Sequence, residues 1–273
     1  MKSSRLRQQP GKRCGPKERL DNLLVARGLA DSRAQAQALI LAGRVRVDGR
    51  PVTKAGSGVS VDAAVEVRAP ASPYVSRGGE KLAAALDHFG IDPAGKVCLD
   101  VGASTGGFTH VLLLRGAARV YAVDVGYGQL HPLIRQDPRV VVLERVNIRL
   151  LPREAVPEAV DLATLDLSFI SLTLVLPRIV EFLTDQGEIL ALVKPQFEVG
   201  KEKVGKKGVV RDPALQQEAV EKVAQAARGL GLEPGVGFPS PLRGPKGNLE
   251  YFLHIRRRPS PARQPDFIDN SNP

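Results

Sequence analysis

The sequence predicts a two-domain chain: a small, basic α+β unit in front of a larger α/β domain built on a doubly wound, mostly parallel sheet of seven strands. Three observations lead there. Residues 1–70 hold 14 Lys/Arg against 6 Asp/Glu while residues 71–273 hold 25 against 23, so most of the net charge of +10 sits in the first quarter. The stretch Ala69-Pro70-Ala71-Ser72-Pro73 reads as a linker at the same place. Beyond it, near-continuous apolar runs alternate with helical stretches, as in parallel sheets covered on both faces.

Residues 1–16 are polar, basic and punctuated by Pro and Gly, and are expected to form a flexible arm. Residues 17–68 form the small unit. Leu20, Leu23 and Leu24 recur at helical spacing and Gly28 supplies a stop. A second helix is capped by Asp31 or Ser32 and runs through Leu39 and Ile40 to Gly43. Val45-Arg46-Val47, the pair Asp48-Gly49 and Val52 read as a hairpin, with further short strands near Val61, Val65 and Val67. In residues 74–256, parallel strands are expected at 97–101, 119–124, 140–144, 161–166 and 188–193. A Pro/Gly-rich loop joins 232–238 to 249–255, which therefore read as an antiparallel pair. Residues 257–273 are Pro-rich and polar and read as a disordered tail.

The basic front points to a polyanionic partner, the bland alternative being a solvated basic surface. Two cysteines make no disulfide framework, and four scattered histidines make no zinc site, so no metal is expected. No apolar stretch follows the charged start, and no window reaches the roughly 18 apolar residues that span a bilayer. A cytoplasmic protein without a membrane partner is the expectation.

The sharpest local signal is Asp100-Val101-Gly102-Ala103-Ser104-Thr105-Gly106-Gly107-Phe108, which leaves a strand and enters a helix. Such a turn lets a ligand approach the backbone closely and exposes unpaired helix N–H groups. The nicotinamide fingerprint needs glycine where Ser104 stands; the spacing resembles the S-adenosylmethionine motif instead. The next strand ends in Asp124, whose carboxylate can accept both ribose hydroxyls of an adenosine-type ligand. Asn147, beyond the third strand, is a weaker candidate for the adenine end.

Four further residues stand at strand edges or beside one: Lys81, Asp166, Lys194 and Glu250. Ligands in such sheets bind outside the carboxyl ends of the parallel strands. An antiparallel last strand begins at that edge, so Asp166, Lys194 and Glu250 are expected to converge. Asp166 is also a candidate for cofactor contact. Cys98 lies within a strand and Cys14 in the arm, so neither is placed as the nucleophile that cytosine carbon-5 methylation needs. The segment Asp166-Leu167-Ser168-Phe169 also lacks the Pro-Pro-aromatic pattern of amino-group methylation.

Arg19-Leu20-Asp21, Gly28, Ser32-Arg33, Gly43, Val45, Val47-Asp48-Gly49 and Val65-Glu66-Val67 resemble the S4-type RNA-binding domain. That resemblance implies that Arg19, Arg33, Arg44, Arg46 and Lys54, expected on loops and exposed faces, touch RNA phosphates. The runs 74–82, 102–108, Asp166-Leu167-Ser168-Phe169-Ile170-Ser171, Lys194-Pro195-Gln196-Phe197-Glu198, Gly208-Val209-Val210-Arg211-Asp212 and Gly247-Asn248-Leu249-Glu250 resemble the TlyA (hemolysin A) family, and the catalytic half is similar to FtsJ-type methyltransferases. Membership implies a Rossmann-like class I fold, S-adenosylmethionine as cofactor and 2′-O-methylation of cytidine in 16S and/or 23S ribosomal RNA. It also implies that Lys81, Asp166, Lys194 and Glu250 stand for the family's catalytic tetrad.

Lys194 is then the candidate that accepts the 2′-hydroxyl proton, or else orients the hydroxyl electrostatically. The same features also fit a non-catalytic ribosome-binding or assembly factor. A membrane-active hemolysin is contradicted by the lack of any spanning segment or amphipathic basic helix. Two departures from the family pattern stand out: Lys206-Lys207-Gly208 carries an extra lysine where glycine is more usual, and the linker lacks an aromatic residue.

Overall fold

The computed structural model describes residues 16–41, 43–68, 72–244 and 246–257. The chain divides into two compact units, Met1–Pro73 and Tyr74–Pro273. The expected arm and tail lie outside the described residues apart from Pro16 and Arg257, as do residues 69–71 of the linker.

The first unit runs β1 (Lys17–Arg19), α1 (Leu20–Ala26), α2 (Arg33–Leu41), β2 (Val45–Val47), β3 (Arg50–Pro51), β4 (Gly58–Ser60) and β5 (Val65–Val67). Ser32 caps α2, its Oγ accepting the Gln35 N–H at 3.2 Å. Asp48 and Gly49, with φ of 49° and 76°, make the left-handed turn that joins β2 to β3. Strand β1, antiparallel to β4, was not expected, because Lys17-Glu18-Arg19 has no apolar residue to signal it. Leu20, Leu24, Ala36, Ile40 and Val45 form the core.

Arg19, Arg33 and Lys54 are exposed, but Arg44 and Arg46 are half-buried, Arg46 within β2. Arg44 stands in the loop before β2, as expected, whereas Arg46 lies within β2, the central strand of its sheet, and corrects the expectation of a loop or exposed face there. Asp21, fully buried, organises two of the others. Its carboxylate accepts Arg19 Nε and Nη2 at 3.0 and 2.8 Å, Arg33 Nε at 3.1 Å and Gln37 Nε2 at 2.9 Å. The Arg19 bonds, then those from Gln37 and Arg33, hold its pKa well below the carboxylate range. A depressed folded pKa contributes stability that is present above the unfolded value, about 3.9, and is lost as pH falls toward the folded one. Thermal melts of Asp21→Asn should accordingly lose the wild type's steepest decline below about pH 4.

The second unit opens with α3 (Gly78–Phe89), then β6 (Val97–Val101), α4 (Gly107–Leu114), β7 (Arg119–Asp124), α5 (Pro132–Arg135), β8 (Val140–Glu144) and β9 (Val160–Leu165). It continues α6 (Leu176–Val180), β10 (Leu183–Val193), α7 (Pro195–Glu198), α8 (Pro213–Gly229), β11 (Leu232–Pro234), β12 (Phe238–Pro239) and β13 (Tyr251–Arg257). The sheet order is β11-β13-β10-β9-β6-β7-β8, with β12 also on β13; β6 to β10 are parallel and β13 is antiparallel to β10. Alternate residues supply the two faces. Leu99, Val101, Tyr121 and Val123 pack with α6 and α8, while Cys98, Val120 and Ala122 pack with α3, α4 and α5.

The sheet has eight strands, not the expected seven. Pro234↔Ile255 and Phe238↔Phe252 set four steps on one side against three on the other, so the Gly235-Val236-Gly237 bulge splits the segment 232–238 in two. Strand β10 begins at Leu183 instead of 188 because a register shift between Leu183 and Glu188 passes over the polar residues Thr184, Asp185 and Gln186.

Candidate active site

Chain order reverses between β6 and β9, and the crevice outside their carboxyl ends is the customary ligand site of such sheets. The loop after β6 meets the start of the loop after β9 there. Gly102, at φ +88°, lies so close to the Asp166 carbonyl that a Cβ would collide with it. Ser104 also takes a left-handed conformation, φ 47°, which turns the chain toward α4. A Cβ on Gly107 would strike Ser76 Oγ, so the glycine lets α4 begin against residues 76–79.

Two cavities open at this crevice. The first, about 480 Å³, is lined by Gly102, Ser104, Asp124, Gln129 and Asn147, with apolar walls from Val123, Val125, Val146 and Ile148. Asp124 accepts the Ser104 and Gly126 backbone N–H groups, each at 2.7 Å, which fixes its carboxylate at the mouth with lone pairs to spare. A flat apolar slot edged by a fixed carboxylate and an amide suits an adenosine-type ligand.

The second cavity, about 420 Å³, shares Gly102, Ser104, Asp166 and Ser168 with the first. It is also lined by Ala103, Thr105, Gly107 and Phe108 and by all of Lys81, Asp166, Lys194 and Glu250. Asp166 and Lys194 directly follow β9 and β10, and Glu250 directly precedes β13. The four make two ion pairs. Lys194 Nζ lies 2.6 Å from Asp166 Oδ1 and donates to Ser168 Oγ at 3.0 Å; Lys81 Nζ donates to Glu250 Oε2 at 2.6 Å. Lys81 and Lys194 are each 8% exposed and Glu250 is 1% exposed. A buried ammonium with one or two acceptors keeps a third N–H for whatever enters the cavity.

Asp100 and Gly106, expected at the cofactor, line neither cavity. Asp100 is fully buried, accepting Thr109 Oγ1 at 2.6 Å and Thr164 Oγ1 at 3.0 Å, and burial pushes its pKa up to about 6. It anchors the glycine turn to α4 and β9 from beneath. A Cβ on Gly106 would press on Leu130 and Ile134, so that glycine serves packing. Sequence reasoning passed over Gln129, which no pattern marks, and Ser168, whose signal was its place two residues after Asp166.

Residues 74–257 match the model for FtsJ-like methyltransferases. This chain belongs to that family. Residues 18–65 match the S4 domain. The 16S/23S rRNA (cytidine-2′-O)-methyltransferase TlyA of Mycobacterium tuberculosis is 55% identical over 87% of this chain and 89% of its own length. Hemolysin A of Brachyspira hyodysenteriae is 40% identical over 87% of this chain and 99% of its own. A solved structure from Streptococcus thermophilus, described as a candidate hemolysin, is 40% identical, covers 90% of both chains and superposes with a TM-score of 0.69. The α/β core of this FtsJ-like methyltransferase is thus that of the S-adenosylmethionine-dependent class, with an S4 domain in front. Among the described residues no helix is long and apolar enough to cross a membrane.

Lys207 adopts φ 70°, ψ 11°, a left-handed conformation that costs a side-chain-bearing residue. Lys207→Gly should raise stability by about 0.5–1 kcal/mol after glycine's own entropy is offset, read as a higher denaturant midpoint at unchanged slope.

Proposed function

We propose that this chain transfers a methyl group from S-adenosylmethionine to the ribose 2′-hydroxyl of cytidine in ribosomal RNA, in the cytoplasm, with the front unit binding RNA. One arrangement carries the reading: the Lys194–Asp166–Ser168 cluster and the Lys81–Glu250 pair face a cavity continuous with the slot beside Asp124. S-adenosylmethionine supplies an already electrophilic methyl group, so alignment and the handling of one proton are left to the protein.

Asp124 would hold the donor's ribose hydroxyls and Asn147 would meet the adenine. The turn from Gly102 through Thr105 would pass along its methionine end. Lys194 has acceptors for two N–H bonds and would aim a third at the incoming 2′-oxygen, stabilising the negative charge that grows there as the methyl–sulfur bond breaks, S-adenosylhomocysteine is left and the hydroxyl proton passes to water. Glu250 holds Lys81 across the same space. Arg19 and Arg33, set by Asp21, would meet phosphates, contacts that strengthen binding without reading sequence.

The test is incubation with labelled donor and with small and large ribosomal subunits from cells lacking the gene, followed by nucleoside analysis. Label in 2′-O-methylcytidine is the expected outcome. Label in a base, or in none of the RNA, would refute the reading.

A further inference from the structure

Two segments meet around Lys194: the loop after β9, residues 166–171, and Lys194 itself with α7, which it directly precedes. Asp166 is held by the sheet. Its N–H donates to the Val101 carbonyl at 2.9 Å, and Gly102 packs against its own carbonyl. Beyond it that support ends. Residues 167–170 make no backbone–backbone hydrogen bond among the described residues, and Phe169 stands 92% exposed at φ 66°, a conformation that costs a side-chain-bearing residue. Ser168, the second acceptor of Lys194, lies in this stretch.

A side chain from the other segment closes the loop. Glu198, the last residue of α7, is 3% exposed, and its carboxylate accepts Ser171 Oγ at 2.5 Å and the Leu172 N–H at 2.8 Å. Ser171 Oγ also accepts the Thr173 N–H, so the carboxylate grips the start of the short helical turn 172–174 that follows the loop. From outside, Lys222 of α8 pins α7 by donating to the Glu198 carbonyl at 2.5 Å. The loop is thus clamped to the Lys194 segment at two points, Ser168 on Lys194 and Ser171 on Glu198. The rings of Phe169 and Phe197 lie 5.2 Å apart, centroid to centroid. Burial pushes the Glu198 pKa up, and the bonds from Ser171 and Leu172 oppose that shift by favouring the carboxylate. Such bonds are costly to break where water cannot replace them.

We infer that Glu198 is a positioning residue for the reaction: by anchoring Ser171 and Leu172 it keeps Ser168 within hydrogen-bond reach of Lys194 and so fixes the direction of the ammonium's remaining N–H. The inference rests on the role of Lys194 proposed above. With Asp166 alone, the ammonium could swing about a single contact; a second acceptor sets its orientation. Glu198 lines neither cavity at the crevice, so its effect passes through Ser168 and not through contact with donor or RNA.

The test is a double-substitution cycle with Ser168→Ala, read as single-turnover methyl transfer to ribosomal subunits at saturating S-adenosylmethionine. Glu198→Ala alone should lower the rate by about tenfold or more, as expected when a reacting group is misplaced by a fraction of an ångström to an ångström. The Kd for S-adenosylhomocysteine should stay within about twofold of wild type. In the Ser168→Ala background the same substitution should cost less than about threefold, because the contact it serves is already gone. Glu198→Gln, whose Oε1 accepts the Leu172 N–H while its Nε2 donates to Ser171 Oγ, should keep the rate within about threefold of wild type. Should Glu198→Ala weaken cofactor binding as well, Ser171→Ala, which removes one of the two bonds, replaces it in the same cycle. Equal losses in the two backgrounds, or a single variant as fast as wild type, would overturn the inference and spare the reaction. Wild-type label appearing in something other than 2′-O-methylcytidine would overturn both.

Discussion

Lys194→Ala is expected to lower the methyl-transfer rate by about 10²–10⁴-fold, the span that a positioned proton-handling or charge-stabilising group supplies. Single-turnover rates on ribosomal subunits would read this loss. Calorimetric titration with S-adenosylhomocysteine should meanwhile show a Kd within about twofold of wild type, because Lys194 lines the reaction cavity and not the slot beside Asp124. The split between rate and affinity is the informative part. The substitution leaves Asp166 without its cation, so a general loss of the site would weaken cofactor binding as well. Substantial turnover by the alanine variant would remove Lys194 from the reaction.

Asp124→Ala should act on the other side of that split. Two backbone N–H groups, from Ser104 and Gly126, end on its carboxylate, and the residue lines the first cavity. Removal takes away the proposed ribose contacts and also frees the turn at Ser104, whose left-handed backbone needs an anchor. Hydrogen bonds to a charged group contribute about 1.5–3 kcal/mol each, so a loss of cofactor affinity of about 10²-fold or more is expected. Equilibrium binding of labelled S-adenosylmethionine is the measurement, and an affinity near wild type would mean that the donor lies elsewhere.

Strands β6, β7 and β8 fall where their apolar runs lie in the sequence. Helices cover both faces of β6 and β7, which hold apolar residues throughout their interior apart from Asp100. The run Val140-Val141-Val142-Leu143 marks the half-buried edge strand β8 as well. The edge of the same sheet was harder to read. Strands β11 and β12 are short, contain Pro234 and Pro239, and owe their pairing to β13 and not to any pattern of their own. The convergence of Asp166, Lys194 and Glu250 on one cavity follows from their placement at strand ends, which position in the sequence does reveal, and Lys81 joins them from α3. Their division into two ion pairs does not, since register alone cannot say which ammonium reaches which carboxylate. Asp100 was legible as part of the turn but not as its foundation. The alternation of a strand puts it on the face of α4, beneath the crevice.

Strand β13 lies between β10 on one side and β11 and β12 on the other, and the residue just ahead of it is Glu250. The counter-ion of Lys81 is therefore delivered by a segment that is synthesised after every other strand of the sheet and then threads into its interior. A chain that stops short of residue 250 lacks both the partner of Lys81 and the strand on which β11 and β12 pair.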